Sequence, residues 1–173
     1  MRTATAAPVS LASGPSTVAR VRAAPERRLS RGPVASRRID FLVQPIGRVR
    51  SPLTDRLAAP SQGDEGAPDA VIEVEPSVAA GLEGIAAGDE LLLLTWFHEA
   101  QRDVLRLHPR WDTSRPLTGV FNTRSPDRPN PLGLHRVTVL EVTGAELRVG
   151  PLEAIDGTPV VDIKPVLVGE DER

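Results

Sequence analysis

Arg124, Arg128 and Asn130 stand within the stretch GVFNTRSPDRPNPLG, from Gly119 to Gly133. Guanidinium forks, an amide and nearby backbone N–H groups together suit an anion or a planar polar ligand. Three prolines, Pro126, Pro129 and Pro131, share the segment. Proline at alternate positions 129 and 131 forbids a helix and biases Arg128 and Asn130 toward extended conformations. The stretch therefore reads as a fixed loop that presents its polar side chains in set directions. The competing reading is a stiff connector between strands with solvated arginines.

Other residue types offer less. The turn Asp156-Gly157-Thr158-Pro159 has a glycine that permits close backbone approach, and Asp156 and Thr158 offer hydrogen bonds to hydroxyls or an amine. Its bland alternative is a hairpin corner. His98 follows Phe97 at the end of an apolar run, where a histidine is either a hydrogen-bonded core residue or a ligand contact. Cysteine is absent, which removes disulfides, thiolate nucleophiles and Cys-based zinc sites. His98-Glu99 lacks the second histidine of a zinc helix, and His98, His108 and His135 have no ligand-like spacing, so no metal is expected. Neither a strand followed by G-x-G-x-x-G, a P-loop nor a G-x-S-x-G elbow occurs. Asn130-Pro131 is followed by Leu-Gly rather than by the Pro-aromatic pair common in amino-methyltransferases.

The elements that must hold these groups are mostly strands. Phe41–Arg50 reads as a first strand, bent at Pro45 or Gly47. A loop rich in Pro, Gly, Ser and Asp follows. Residues 70–74 alternate as a short strand. Pro76–Leu82 reads as a helix capped by Ser77 and stopped by Gly84. Glu90–Phe97 has the continuous apolar character of a buried strand. His98–Leu107 fits one short helix broken by Pro109, and Gly119–Asn122 a brief strand. Leu134–Val142 and Ala145–Val149 form a hairpin about Thr143-Gly144. Leu152–Ile155 and Val160–Ile163 form a second strand–turn–strand unit. Short strands with one or two small helices predict a mainly β, single-domain barrel.

The 173 residues suffice for one sizeable core. Residues 39–168 are expected to form it, with a polar end at 169–173. Residues 1–38 carry eight Arg and one Glu, so the remainder of the chain is acidic despite a net charge of only −2. That Ala-, Arg-, Ser- and Pro-rich stretch is expected to be a disordered tail. It also fits an RNA-tracking basic arm, an organellar transit peptide, or an upstream start in a GC-rich, arginine-favouring genome. An RNA-binding domain is usually basic, so any RNA contact here must come from a local patch. No apolar run is long enough to span a membrane, and the expected location is the cytoplasm.

Three segments in order, QPIGRVRSP (Gln44–Pro52), GVFNTRSPDRPNPLG and DGTPVVDIKP (Asp156–Pro165), resemble the TrmO family, also called VirR or TsaA-like proteins. The resemblance covers Phe41 to Leu167. It implies a TsaA-like single-sheet β-barrel and an S-adenosyl-L-methionine-dependent methyltransferase acting on tRNA. The implied target is the exocyclic nitrogen of threonylcarbamoyladenosine beside the anticodon, and the cofactor site lies near a homodimer interface. Matching positions imply cofactor contacts at Pro60, Ser61 and Gln62, at Phe97 and His98, at Arg124 and Leu134, and at Ile155, Asp156, Gly157 and Thr158. Arg128 and Asn130 are implied to hold the loop or the substrate. No catalytic residue is assigned. Asp156, Asp127 and His98 are the candidates for removing a proton from a poorly nucleophilic carbamoylated amine. The chain departs from the family at Ser61, where Arg is common, and at Asn122 and Asp127. Those departures, with the acidic domain, keep two alternatives open: methylation of a small molecule, and a non-catalytic cofactor-binding module.

Overall fold

The computed structural model describes residues 42–167. The expectations for the tail 1–38 and the polar end 169–173 lie outside the described residues. Eight strands form: β1 Gly47–Arg50, β2 Ala70–Val74, β3 Glu90–Trp96, β4 Arg106–Leu107, β5 Thr118–Gly119, β6 Leu132–Thr143, β7 Glu146–Gly150 and β8 Pro159–Pro165. Six of them close an antiparallel barrel in the order β1-β2-β7-β6-β3-β8, and β4 and β5 pair separately. The mainly β barrel expected from the sequence is the observed fold.

Alternation builds the core. Val49, Ile72, Leu91, Leu93, Val137, Val139, Leu147, Val149 and Val160 point inward and are buried, as the two-residue strand period requires. β3 follows the same rule instead of being buried on both faces. Leu91, Leu93 and Thr95 are interior, whereas Leu92, Leu94 and Trp96 are half-buried on the outside. A closed barrel has only one dry face, so a continuous apolar run still divides between two environments.

Register explains where the site lies. Val71 pairs with both Arg50 and Arg148, Trp96 pairs with Leu132, and Thr95 pairs with Val160. The ends of β1, β3 and β7 and the starts of β2, β6 and β8 therefore share one end of the barrel. The long connections 51–69, 97–131 and 151–158 all emerge there. The tight turn at Gly144, with its positive φ of 60, lies at the other end.

Local expectations fail where tertiary partners take the backbone. His98–Leu107 is not a helix: the Gln101 N–H donates to Asp127 Oδ1 at 2.8 Å, and the Glu99 carbonyl accepts from Arg56 at 2.7 Å. Only the two-residue strand β4 forms at its end. Leu152–Ile155 is not a strand, because the Leu152 N–H is bonded to the Pro68 carbonyl rather than to a neighbouring strand. Pro76–Leu82 is a 3-10 helix with Pro76 at its first position, entered from Glu75 with no side-chain cap, so Ser77 is inside it. At Gly119–Asn122, β5 ends and a 3-10 turn, Val120–Asn122, follows. No helix among the described residues is long and apolar enough to cross a membrane.

Candidate functional site

A cleft of about 870 Å³ opens at the loop-bearing end of the barrel. That volume is at the upper end of the roughly 300–1,000 Å³ typical of small-ligand sites. Its walls come from the 51–62 loop, the end of β3, the 97–131 excursion, the start of β6 and the 152–158 connection.

The structure brings most of the expected residues together. Pro60, Ser61 and Gln62 line one side, Phe97 and His98 another, and Leu134, Ile155 and Thr158 a third. Arg124 and Arg128 also line it. Asp156, Gly157 and Asn130 do not. Asp156 Oδ1 accepts the Ser51 N–H at 2.9 Å, and the Gly157 N–H donates to the Val49 carbonyl at 2.8 Å. That turn fastens the end of β1 to the start of β8.

The two arginines of the proline-rich loop have different work. Arg128 donates to the carbonyls of Ser125 (2.8 Å), Val120 (3.1 Å) and Thr123. It fixes the loop from within. Arg124 is exposed at the cleft and makes no salt bridge among the described residues. Most cations elsewhere on the barrel are partnered, as in Arg48–Glu73, Arg136–Glu90 and Arg148–Asp69. The Arg124 fork is therefore free of an acid partner among the described residues.

Asp127 is a correction. As a proton-acceptor candidate it would need access to the cleft, but its carboxylate is 1% exposed. Arg56 grips both oxygens, at 3.0 and 2.9 Å, and the Gln101 N–H occupies Oδ1 as well. A carboxylate so satisfied is a clamp joining the 51–62 loop to the excursion. Of Asp156, Asp127 and His98, only His98 lines the cleft.

One constellation escaped the sequence reading. His135 sits on β6 in the cleft wall, 2% exposed. Its Nδ1 is 2.7 Å from Glu153 Oε1, and its Nε2 is 2.8 Å from Thr95 Oγ1 on β3. The Phe97 ring meets the imidazole edge-on at 5.8 Å between centroids. Burial opposes ionisation of Glu153, but the hydrogen bond and charge of His135, with the more distant charge of Arg124, outweigh it and hold the carboxyl below its ordinary range. An ionised Glu153 can only accept, so His135 Nδ1 carries the proton between them. The cleft thus holds a fixed anion beside an unpartnered cation. A polar residue at an inward position of β6 was the one signal for His135. Nothing in the local sequence marks Glu153.

Gly133 makes the arrangement possible. A Cβ there would fall on Thr95 Oγ1, and within 2.6 Å of both His135 Nε2 and the Phe97 ring. The glycine that ends the proline-rich stretch is required by close packing. Among the described residues, no group of three or more His, Asp or Glu is arranged to hold a metal.

A closed antiparallel barrel with three connections and a charged cleft at one end defines a ligand-binding β-barrel of the kind that carries its chemistry on loops. The chain belongs to the family of the tRNA-methyltransferase O N-terminal domain, whose model matches residues 48–172. A "Probable S-adenosyl-L-methionine-binding protein" of Methanothermobacter thermautotrophicus is 42% identical over 127 residues, which cover 73% of this chain and 90% of that one. An "S-adenosyl-L-methionine-binding protein" of Archaeoglobus fulgidus is 42% identical over 124 residues, 72% of this chain and 88% of that protein. The VirR protein of Rhizobium radiobacter, also described as a probable S-adenosyl-L-methionine-binding protein, is 39% identical over 69% of this chain and 67% of its own length. A crystal structure of TrmO from Pseudomonas aeruginosa superposes with a TM-score of 0.60 at 30% identity, over 78% of this chain. The match spans 60% of the length of that solved chain.

Proposed function

We propose that this protein is an S-adenosyl-L-methionine-dependent methyltransferase whose substrate is tRNA, modified at the exocyclic nitrogen of threonylcarbamoyladenosine. The observation that carries the reading is the presence in one cleft of Arg124, which makes no salt bridge among the described residues, and of an ionised carboxylate, Glu153. That pair suits a ligand with an amino-acid end, whose carboxylate and ammonium need opposite charges. Phe97, Leu134 and Ile155 supply the apolar surface that the rest of such a ligand needs. Family membership and the descriptions of the relatives support the same cofactor.

When bound, S-adenosyl-L-methionine supplies a methyl group on a sulfonium, so that transfer breaks an S–C bond, forms an N–C bond and releases the nitrogen's proton. The chain's contribution is chiefly positioning. Arg124 holds the carboxylate end, Glu153 faces the cationic groups, and His135 keeps Glu153 charged and oriented. Arg128 and the Arg56–Asp127 clamp hold the excursion in place as a wall of the cleft. His98 is the residue placed to accept a proton.

We read the assembly as a homodimer. Leu94 and Trp96 pair with Leu134 and Leu132 on the outside of the barrel, and those last two are 48% and 46% exposed beside the cleft. Sedimentation that shows only monomer at micromolar concentration with cofactor present would contradict this.

Methyl transfer from labelled cofactor to bulk tRNA tests the main reading, with the product identified as methylated threonylcarbamoyladenosine. Cofactor binding without transfer to any RNA would overturn the tRNA assignment and favour a small-molecule substrate or a non-catalytic module.

A further inference from the structure

Trp111 is 68% exposed and lies in left-handed backbone, with φ of 58, directly after Arg110 at φ 57 and ψ 26. Two consecutive non-glycine residues in this region are unfavourable, and a bulky one is an outlier. Strain of this kind persists only where the surroundings over-determine it. Here they do. The Trp111 N–H donates to the His108 carbonyl at 3.0 Å, and His108 Nδ1 bonds the Arg115 carbonyl at 2.7 Å. Arg115 pairs with Asp112 at 3.1 Å, and Arg110 pairs with Glu65. All this order delivers an indole to solvent. Phe121, in the neighbouring 3-10 turn, is 81% exposed, and both rings line the same cleft.

The side chains lining the cleft carry a different balance of charge from the domain as a whole, although Arg56, Arg110 and Arg115 have acid partners, Asp127, Glu65 and Asp112, outside that lining. Residues 42–167 hold twelve Lys and Arg against eighteen Asp and Glu. The cleft lining holds five Arg and two Glu. An acidic domain has gathered cations and exposed aromatic faces in one place. Cations that track phosphates, beside rings on which bases stack, are the chemistry of single-stranded nucleic-acid binding.

We propose that Trp111 and Phe121 form a stacking platform for unpaired bases of an RNA strand, with Arg110 and Arg115 beside its phosphates. This rests on the tRNA reading for the choice of RNA and deepens it by saying where the strand enters. A duplex is disfavoured because its base faces are already covered, and the acidic remainder of the domain repels its backbone.

The test uses the full chain and two probes: an RNA stem–loop with an unpaired loop, and a fully paired duplex of matched length. The arginines of residues 1–38 can contact phosphates of either probe, so the readout is the preference for the stem–loop. Base–aromatic stacking is worth about 1–3 kcal/mol per base, so Trp111→Ala should weaken stem–loop binding about five- to a hundredfold. Duplex binding should stay unchanged, and Trp111→Phe should restore most of the loss. Circular dichroism shows that each variant is folded. Unchanged stem–loop affinity in folded Trp111→Ala, or equal wild-type affinity for both probes, overturns the platform. Dissociation of a wild-type dimer to monomer by Trp111→Ala, without loss of RNA affinity, overturns it too, because a second copy of the chain then covers the ring. Failure of this proposal stays separate from failure of the tRNA reading. Retained methylation of tRNA by Trp111→Ala, with unchanged stem–loop affinity, removes the platform alone. Trp111-dependent stem–loop binding without methyl transfer removes the enzymatic reading alone.

Discussion

Glu153 Oε1 lies 2.7 Å from His135 Nδ1, and that contact joins the 151–158 connection to strand β6 at the bottom of the cleft. It holds a half-buried acid ionised at neutral pH. Desolvation of Glu153 works against the charge, and the imidazole N–H offsets it.

The first prediction concerns pH. A carboxyl whose folded-state value lies below its unfolded value stabilises the fold above the unfolded value, and this is lost as pH falls through the folded-state value. The contribution of Glu153 should therefore be present at neutral pH and disappear in acid below the ordinary glutamate range of about 4.3. Glu153→Gln should lower the urea midpoint at neutral pH and show a flatter decline into acid than wild type. Parallel curves for the two proteins across that range would refute the coupling.

Gly133→Ala should destabilise the domain. Its methyl group would overlap Thr95 Oγ1, His135 Nε2 and the Phe97 ring where β3 and β6 meet at the cleft end of the barrel. Overpacking of this type costs about 1–3 kcal/mol. Chemical denaturation gives the number, and cofactor titration of the same variant should show weaker binding as the Phe97 face shifts. Wild-type stability would mean that the three side chains relax without cost.

Arg124→Ala and Arg128→Ala should separate binding from loop order. Arg124 makes no salt bridge among the described residues, so its removal should leave folding intact and weaken cofactor binding. A lost charge-assisted hydrogen bond costs about 1.5–3 kcal/mol, roughly ten- to a hundredfold. Arg124→Lys should also be impaired, since an ammonium cannot reproduce the fork. Arg128→Ala frees three backbone carbonyls, and faster proteolysis within residues 119–131 should report it. Calorimetry that finds wild-type affinity in Arg124→Ala would take that residue out of the site.

Asp127→Ala should cost stability rather than proton transfer. Breaking a fully buried ion pair costs about 3–5 kcal/mol. Arg56 remains 27% exposed, so about 2–3 kcal/mol is expected here. Thermal unfolding measures it. If folded Asp127→Ala instead loses turnover with no change in melting temperature, the clamp assignment fails.

Much of the barrel was legible because period-two alternation is a local property. Ala70–Val74 and the β6–β7 hairpin follow from side chains that must choose between a dry and a wet face. The non-helical course of residues 123–131 was equally local, since ring geometry at Pro129 and Pro131 excludes helix. The three segments resembling a family likewise lie in the linear order of residues and bring the fold and cofactor expectations with them.

Other features depend on neighbours distant in the chain. Asp127 and Arg56 are 71 positions apart, and only folding turns a proton-acceptor candidate into a buried clamp. His98–Leu107 has helix-compatible composition, yet Asp127 and Arg56 take the backbone groups a helix would use. Thr95, His135 and Glu153 come from β3, β6 and the 151–158 connection, and no spacing rule links them. The sequence by itself determined which residues alternate, which turn and which cannot be helical, because those preferences act between near neighbours. Tertiary structure alone decided which arginine stays free, which acid is charged and which aromatic rings face water, because burial and hydrogen-bond partners are set by the closing of the barrel.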